Sequence, residues 1–296
     1  MGIEQILQYF FSGITIGIIY AITAIGFNII YNTTGIINFA QGEFLMIGAM
    51  TAITLNQFMP LPLAVLCAVI ITALLGAVIE LLFFRWLNNP AVLRMIIITI
   101  GLSIVMRELA LHIWGRNVQS LPYFTGDECS SINIFGAYIS PQVLWVLGIC
   151  CITVIALTLF FKYTLIGQSM RACAVNRTAA RLCGVNAKNM VTLSFILSAA
   201  IGALAGCVIS PITQTRYDCG TAIAIKGFTV AILGGLGNST AAVVAGLLLG
   251  LIESYGIILM PLAYIDAISI VIMLAILFVR PGGLFGNKEA LRLQEF

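Results

Sequence analysis

The 296-residue chain is 61% hydrophobic and only 8% charged, with a mean hydropathy of +1.10 and a formal net charge of +3. Soluble domains carry about 25% charged residues, so this composition excludes a soluble globular protein and indicates a polytopic membrane protein. The positive charge does not indicate a nucleic-acid partner, because the basic residues lie in short clusters between apolar runs, where they determine topology.

Eight apolar runs meet or nearly meet the roughly 20 helical residues that cross a hydrocarbon core of about 30 Å. They are residues 10–31, 36–55, 61–84, 96–114, 143–161, 190–209, 241–259 and 263–279. A ninth segment, 222–236, would be about 22 Å long as a helix and so only partly crosses. The sequence therefore predicts one all-α transmembrane domain over residues 1–296, with about eight full spans and one broken or re-entrant helix.

The basic residues predict the orientation of these spans. Lys and Arg are enriched in cytoplasmic connections, and here they flank the connection at Arg85 and Arg94, fill the stretch Lys162–Lys188 and recur in the tail 280–296. Two cytoplasmic connections are separated by an even number of crossings, so the short segment 222–236 must enter the membrane and return with its successor. This count places the N-terminus in the periplasm and the C-terminus in the cytoplasm.

Two cysteines fall in connections that are periplasmic on this count, Cys129 in 115–142 and Cys219 in 211–221. A disulfide is chemically allowed in that compartment, but loops distant in sequence need not meet. The sequence leaves their pairing open.

Glycines recur at the four-residue spacing that lets membrane helices approach closely. Lipid provides no hydrophobic drive for helix association, so we expect these pairs to pack the bundle, with a specific dimer contact as the less favoured alternative. The pairs are Gly13 and Gly17, Gly202 and Gly206, and Gly246 and Gly250.

The basic loop, Lys162–Lys188, contains five of the chain's 14 Lys and Arg residues. Asn176 is a good helix N-cap, and Gly184 suits the left-handed position after a last turn, so a short helix is predicted over Arg177–Cys183. A capped basic helix between two spans is typical of a docking element for a cytoplasmic partner. The alternative, a loop that only binds lipid headgroups, explains the charge but not the start, the stop and the apolar residues of this helix.

Two other segments interrupt the apolar pattern. Asn32–Glu43 places Asn38, Gln41 and Glu43 near the start of a span; such residues line a substrate path or form a solvated interfacial turn, and composition does not decide between these. The second segment, Gly234–Ser239, contains glycines that permit a tight return after a half-helix. It is not a phosphate loop, because it lacks the GK[ST] ending.

Ionisable residues at membrane depth usually face the bundle interior, and five lie within or at the ends of spans: Glu80, Arg107, Glu108, Glu253 and Asp266. Glu108 and His112 are four residues apart on one helical face; a structural pair is favoured over a proton relay. Thr99 and Ser103 lie on the face below Glu108 and are candidates to line a hydrated path.

Four stretches together resemble one family in order along nearly the whole chain. They are GIINFAQGEFLMIGA (35–49), MRACAVNRTAARLCGVN (170–186), IKGFTVAILGGLGNSTAAVVAGLLLG (225–250) and RPGGLFG (280–286). The chain resembles the membrane permease subunits of bacterial ABC importers for branched-chain amino acids, of the H type found in the leucine, isoleucine and valine system. Gln41 stands where this family commonly has His, which puts a protonation role of that position in doubt.

The resemblance implies partners and roles. Two permease subunits, related or identical, form the path in the membrane lipid; two cytoplasmic ATPase subunits carry ATP and Mg²⁺, so this chain needs no cofactor; and a periplasmic binding protein delivers the substrate. The resemblance makes the basic loop the ATPase coupling site, with these expected residues: Arg171, Val175, Asn176, Arg177, Arg181, Leu182, Gly184 and Val185. The residues expected along the substrate path are Asn38, Gln41, Glu43, Thr99, Ser103, Gly234 and Gly235.

The sequence therefore predicts a multi-pass inner-membrane permease subunit that moves branched-chain or other neutral apolar amino acids by alternating access. No fixed charge pair is expected at mid-span, which fits a neutral substrate. A urea or short-amide permease of the same superfamily is the first alternative. The second is an ion-coupled secondary transporter, which would use Glu108, His112 and Glu253. An enzyme is disfavoured, because the sequence has no nucleophile elbow, HExxH or Walker A motif.

Overall fold

The computed structural model describes residues 2–86, 92–126, 130–134, 136–259, 261, 264–280 and 282–284. Cys129, and with it the open question of its pairing with Cys219, lies outside these residues, as do the side chain of Asp266 and most of the tail. Within the described residues the fold is an all-α bundle with one two-stranded hairpin, which confirms the predicted fold class.

The first part of the chain forms four helices and the hairpin. Their bounds are α1 Ile3–Thr34, α2 Gln41–Asn56, α3 Leu61–Ile79 with a π-helical extension Glu80–Phe84, α4 Val92–Trp114, β1 Ile132–Ile134 and β2 Ala137–Ile139. The second part forms seven helices, α5 Pro141–Tyr163, α6 Leu165–Val175, α7 Arg177–Leu182, α8 Ala187–Thr213, α9 Cys219–Gly234, α10 Ser239–Leu259 and α11 Ile265–Val279.

In the part of the chain that the structure describes, six helices are long and apolar enough to cross a membrane: α1, α3, α4, α5, α8 and α10. The predicted half-helix is α9, with 16 residues. Two predicted spans are shorter than expected. In the run 36–55, residues 36–40 are not helical and α2 begins only at Gln41. The last predicted span, α11, is described over 15 residues.

Long-range hydrogen bonds define two ends of the bundle. Gln8 near the start of α1 exchanges hydrogen bonds with the backbone of Tyr138 in β2, and we call this the hairpin end. From the hairpin, α5 leads to α6 and α7, which lie at the opposite, loop end. Near the close of α1, Asn32 donates to the carbonyl oxygen of Gly237 at 2.8 Å, so α10 starts at the loop end and runs antiparallel to α1.

Among the long apolar helices α1 is the most buried, whereas α3, α4 and α5 expose most of their apolar side chains, as expected for helices that face lipid. Glycines allow close packing around α1. A Cβ added at Gly17 would lie 2.6 Å from the carbonyl oxygen of Gly246, and one at Gly250 would lie 2.4 Å from that of Gly13. Gly206 packs in the same way on the carbonyl oxygen of Leu45. The predicted role of these glycine pairs in bundle packing is confirmed.

Candidate functional site

Glu43, in the first turn of α2, is buried at the centre of a polar cluster whose other members are half-buried. Its Oε1 accepts hydrogen bonds from Ser103 Oγ of α4 at 2.9 Å and from Thr221 Oγ1 of α9 at 3.0 Å. Arg107 donates to the same Thr221 hydroxyl at 3.5 Å. Ser103 lies halfway along α4, so the cluster lies near the middle of that span.

The second oxygen of Glu43, Oε2, is buried without a hydrogen-bond partner. Buried polar atoms nearly always have partners, because an unpaired one loses its hydration without compensation. Ionisable residues at this depth mark substrate or ion paths more often than packing sites. The cluster of Glu43, Ser103, Thr221 and Arg107 is therefore the first candidate site.

Gln41 fills the space between α1 and α8. Ser198 Oγ lies 2.6 Å from Gln41 Oε1 and 2.8 Å from the carbonyl oxygen of Gly26, which share its one proton, and Gln41 Nε2 donates to the carbonyl oxygen of Ser198 at 3.3 Å. A Cβ at Gly26 would lie 2.1 Å from Gln41 Nε2, so a larger residue there would displace the Gln41 side chain. Gln41 thus fixes the start of α2 against two long helices.

Asn38 caps the same break. Its Oδ1 accepts from the backbone N–H of Ala40 at 3.1 Å, while its Nδ2 is buried without a partner. Asn38, Gln41 and Glu43 are each about 1% exposed, so the segment is not the solvated interfacial turn that composition left open. It is a buried break in the helix pattern.

The other expected path residues lie outside this cluster. Thr99 is buried but donates to the carbonyl oxygen of Ile96 in its own helix at 2.9 Å, one turn from Ser103. Gly234 and Gly235 close α9 against α10 and the tail, where the backbone N–H of Leu284 donates to the carbonyl oxygen of Leu233. The two breaks are therefore separate.

Both breaks nevertheless contact α1. The first contacts Gly26 through Gln41, and the second contacts Asn28, whose Oδ1 accepts from the backbone N–H of Gly237 at 3.0 Å. Sequence analysis missed Asn28 and gave Asn32 no role of its own, although two polar residues four apart on an apolar helix mark one face.

A second polar cluster joins α1, α9, α10 and α11. Glu253 Oε2 accepts from Tyr20 OH at 2.8 Å and pairs with Lys226 Nζ at 3.2 Å, and Ser269 Oγ donates to Glu253 Oε1. The expectation that the spans hold no fixed charge pair is wrong. Sequence analysis missed Lys226; a lone lysine midway along an apolar segment was the available signal.

Glu108 and His112 do not form the expected side-chain pair. His112 Nδ1 lies 2.8 Å from the backbone carbonyl oxygen of Glu108, and both side chains are exposed. Glu80, by contrast, is buried and accepts from Thr192 of α8 at 2.7 Å. Within the described residues, no group of three or more His, Cys, Asp or Glu is arranged to hold a metal ion.

The basic loop has the predicted helix with both predicted signals. Asn176 Oδ1 accepts from the backbone N–H groups of Thr178 and Ala179 at 3.0 Å. At the other end Gly184 has φ 84°, and the backbone N–H groups of Gly184 and Val185 donate to carbonyl oxygens three and five residues back. These are the bonds of a Schellman motif.

The side chains of the loop divide into exposed and inward groups. Leu182 is 86% exposed and Val175 81%, and Arg171 and Arg181 are also exposed. Val185 instead packs with the small apolar cluster of Cys173, Ala180 and Ala187. Of the three apolar candidates for a docking contact, Leu182 and Val175 are presented to the outside and Val185 is not.

Electrostatics within the loop are repulsive. Partial burial lowers the pKa of the Arg177 guanidinium, and the neighbouring Arg181 lowers it further. Burial raises the pKa of the Cys173 thiol, which the two arginines partly oppose. Two adjacent cations without a described acidic partner favour an anionic surface opposite them.

Comparison with known proteins is consistent over the whole chain. Residues 9–277 match the family described as the permease component of the branched-chain amino acid transport system. The chain is 31% identical to the high-affinity branched-chain amino acid permease protein LivH of Salmonella typhimurium, over 96% of both chains. It is 33% identical to BraD of Pseudomonas aeruginosa, named for the same activity, over 97% of this chain and 98% of that one. LivM of Escherichia coli is 27% identical over 79% of this chain and 60% of its own.

Proposed function

The chain belongs to the family of permease components of branched-chain amino acid transport systems, and on this basis we propose that it moves neutral apolar amino acids across the inner membrane by alternating access. It is a multi-pass membrane permease subunit of an ABC importer and not an enzyme. The observation that carries the substrate class is the match over nearly its full length to relatives named for branched-chain amino acids.

The partners follow from this role. A second permease subunit, related or identical, completes the path; two cytoplasmic ATPase subunits bind ATP and Mg²⁺; and a periplasmic binding protein delivers the substrate. The loop end then faces the cytoplasm and the hairpin end the periplasm, with the N-terminus outside and the C-terminus inside. The basic residues of the loop support this orientation.

The basic loop couples the ATPase to the path. The exposed Leu182, with Val175 and the arginines around it, docks in the ATPase, while Asn176, Gly184 and Val185 hold α7 in shape. Residues 165–182, which form α6 and α7, connect α5 to α8. Ser198 of α8 in turn holds Gln41 at the helix break. Movement of the loop therefore reaches the buried break through one continuous helix.

The substrate path passes the first break. The polar groups along the path come from Asn38, Gln41, Glu43 and Ser103, and Thr99 extends the path along α4. At the C-terminal end of α9, Gly234 and Gly235 allow that helix to move. The unpartnered oxygen of Glu43 and nitrogen of Asn38 support this assignment.

The test is uptake into vesicles that contain the assembled importer. Replacing both Arg177 and Arg181 by Glu should abolish ATPase association and uptake, because the surface of α7 is then acidic and repels the anionic surface of the ATPase. Lys188→Glu, an exposed reversal on the same loop but outside α7, should leave both near wild type. Full activity of the double reversal would contradict docking through α7.

The same vesicles distinguish between the candidate substrates, amino acid or urea, and between the candidate energy sources, ATP or an ion gradient. Leucine in excess should block uptake of labelled isoleucine, and urea should not. Uptake should require ATP and persist when ionophores collapse ion gradients. Competition by urea would favour the amide permease, and uptake that needs an ion gradient without ATP would favour the secondary transporter.

A further inference from the structure

A cavity of about 370 Å³ opens at the hairpin end, where α8 connects to α9. Its walls come from Val118 after α4, the connection from Thr213 to Asp218, and the first turn of α9. Small-molecule sites have volumes of about 300–1,000 Å³. The cavity is therefore large enough for one amino acid.

The wall of the cavity contains an ion pair between Arg216 and Asp218. Arg216 Nε and Nη2 donate to the two carboxylate oxygens of Asp218 at 2.5 and 2.7 Å. A guanidinium has five N–H donors, so three remain for a ligand, and each Asp218 oxygen keeps a free lone pair. The hydrogen bond to Asp218 raises the pKa of Arg216, which keeps it cationic. Both side chains remain partly exposed, at 53% and 31%, so a ligand reaches them from solvent.

The start of α9 adds a third polar element. Asp218 occupies the N-cap position but its side chain makes no capping hydrogen bond, since it is turned to Arg216. Cys219 and Ala222, in the first turn of this 16-residue helix, line the cavity. The positive end of the helix dipole therefore favours a carboxylate at this wall.

The connection that carries these groups is held in place. Thr215 and Gln119 exchange backbone hydrogen bonds at 2.9 and 2.6 Å, and Thr215 Oγ1 lies 2.8 Å from Ser210 Oγ of α8. Gln214 between them has φ 56°, in the left-handed region. The charged pair is thus presented by a fixed connection.

The cavity adjoins the buried Glu43 cluster. Ala222 of its wall follows Thr221, whose hydroxyl donates to Glu43 Oε1. The two sites therefore share the first turn of α9.

We propose that this cavity is a low-affinity entry site for a zwitterionic amino acid, ahead of the buried path. The ligand carboxylate binds the remaining N–H groups of Arg216 and the start of α9, its ammonium group binds Asp218, and its apolar side chain lies against Val118 and Ala222. The site rests on the proposed function. Because exposed charges are screened, the affinity is about 1 mM, weak enough for the ligand to move on.

The test is whether leucine protects a cysteine introduced into the cavity wall from chemical labelling. Val118→Cys is labelled with a membrane-impermeant maleimide in the assembled transporter in lipid nanodiscs, without the binding protein, and modification is followed by mass spectrometry of that peptide. Leucine at about ten times its dissociation constant should slow labelling about tenfold. Isoamylamine, which lacks the carboxylate, and 4-methylpentanoate, which lacks the ammonium group, should give no protection. Ile132→Cys on the exposed hairpin is the control, and leucine should not protect it.

Arg216→Gln and Asp218→Asn should each remove the protection by leucine while the transporter keeps its thermal stability. Equal protection by leucine and its two analogues, or protection that survives Arg216→Gln, would overturn the site. So would labelling that leucine leaves unchanged and that slows only when the binding protein is added in a second arm, since the pair would then be a docking contact. Leucine uptake without protection would overturn the entry site and leave the proposed function standing; protection without leucine uptake would do the reverse.

Discussion

At the scale of single residues, Glu43 is the group whose surroundings most constrain its role. It receives hydroxyl donors from two other helices and retains one oxygen without a partner. A packing residue would have both oxygens satisfied, because an unpaired buried acceptor costs about 1–3 kcal/mol. The arrangement therefore holds the carboxylate in place and leaves one oxygen available to a passing polar group.

Glu43→Ala should lower both uptake and stability, because Ser103 and Thr221 lose their acceptor. We expect a loss of about 1–3 kcal/mol in the free energy of unfolding, seen as a lower unfolding midpoint in detergent. Glu43→Gln keeps an acceptor oxygen and should recover most of the stability but not the uptake. Glu108→Ala, an exposed carboxylate on α4, is the control. Equal midpoints for Glu43→Ala and Glu108→Ala would show that the cluster does not hold the helices.

At the scale of elements, α7 is too short to be stable by itself. A six-residue helix forms few internal hydrogen bonds relative to the cost of its nucleation, so its two ends decide whether it exists. Asn176 supplies two bonds at one end, and Gly184 permits the Schellman bonds at the other.

Asn176→Ala should loosen α7 by about 1 kcal/mol, which makes amide hydrogen exchange over residues 177–182 about fivefold faster. ATPase stimulation should fall with it. Asn186→Ala removes the cap of α8, a 27-residue helix held by its neighbours, and should leave exchange in 177–182 unchanged. Unchanged exchange in Asn176→Ala would mean that contacts other than the cap hold this helix.

The elements also show what a sequence can predict. The start and stop of α7 and the break before α2 were predicted because caps, glycines and apolar runs act over a few residues. Lys226 with Glu253, and Asn28 with Gly237, were missed, because such partners meet only once the helices are packed. For the same reason Val185 was expected to be a docking residue, and only the folded loop shows that it faces inward.

At the scale of the whole molecule, the Lys226–Glu253 pair ties the half-helix α9 to three neighbours. Removing one partner of a buried pair costs about 3–5 kcal/mol, because the other charge is left uncompensated. Lys226→Met should therefore lower the unfolding midpoint strongly. Adding Glu253→Gln should recover much of the loss, since a neutral Gln can accept from one of the two hydroxyls of Tyr20 and Ser269 and donate to the other. If the double variant is no more stable than Lys226→Met, charge compensation is not what secures α9.

The antiparallel contact of α1 with α10 determines whether the whole bundle assembles. At Gly246 an added Cβ would lie 2.6 Å from the carbonyl oxygen of Gly17 and 2.8 Å from the Cβ of Ala21. Backbone cannot yield as a flexible side chain does, so Gly246→Ala should cost about 1–3 kcal/mol, as other overpacked cores do. The α1–α10 contact would separate, and the unfolding midpoint and yield of assembled transporter should both fall.

Gly148→Ala is the matched control, because its Cβ would meet nothing within 4 Å on the exposed α5. Alanine also has the higher helix propensity, by about 0.5–1 kcal/mol, so this variant should be as stable as the wild type or more so. The same substitution should thus have opposite signs at two helical glycines. Similar midpoints for the two variants would show that α1 and α10 tolerate separation, and that close contact of their backbones does not hold the bundle together.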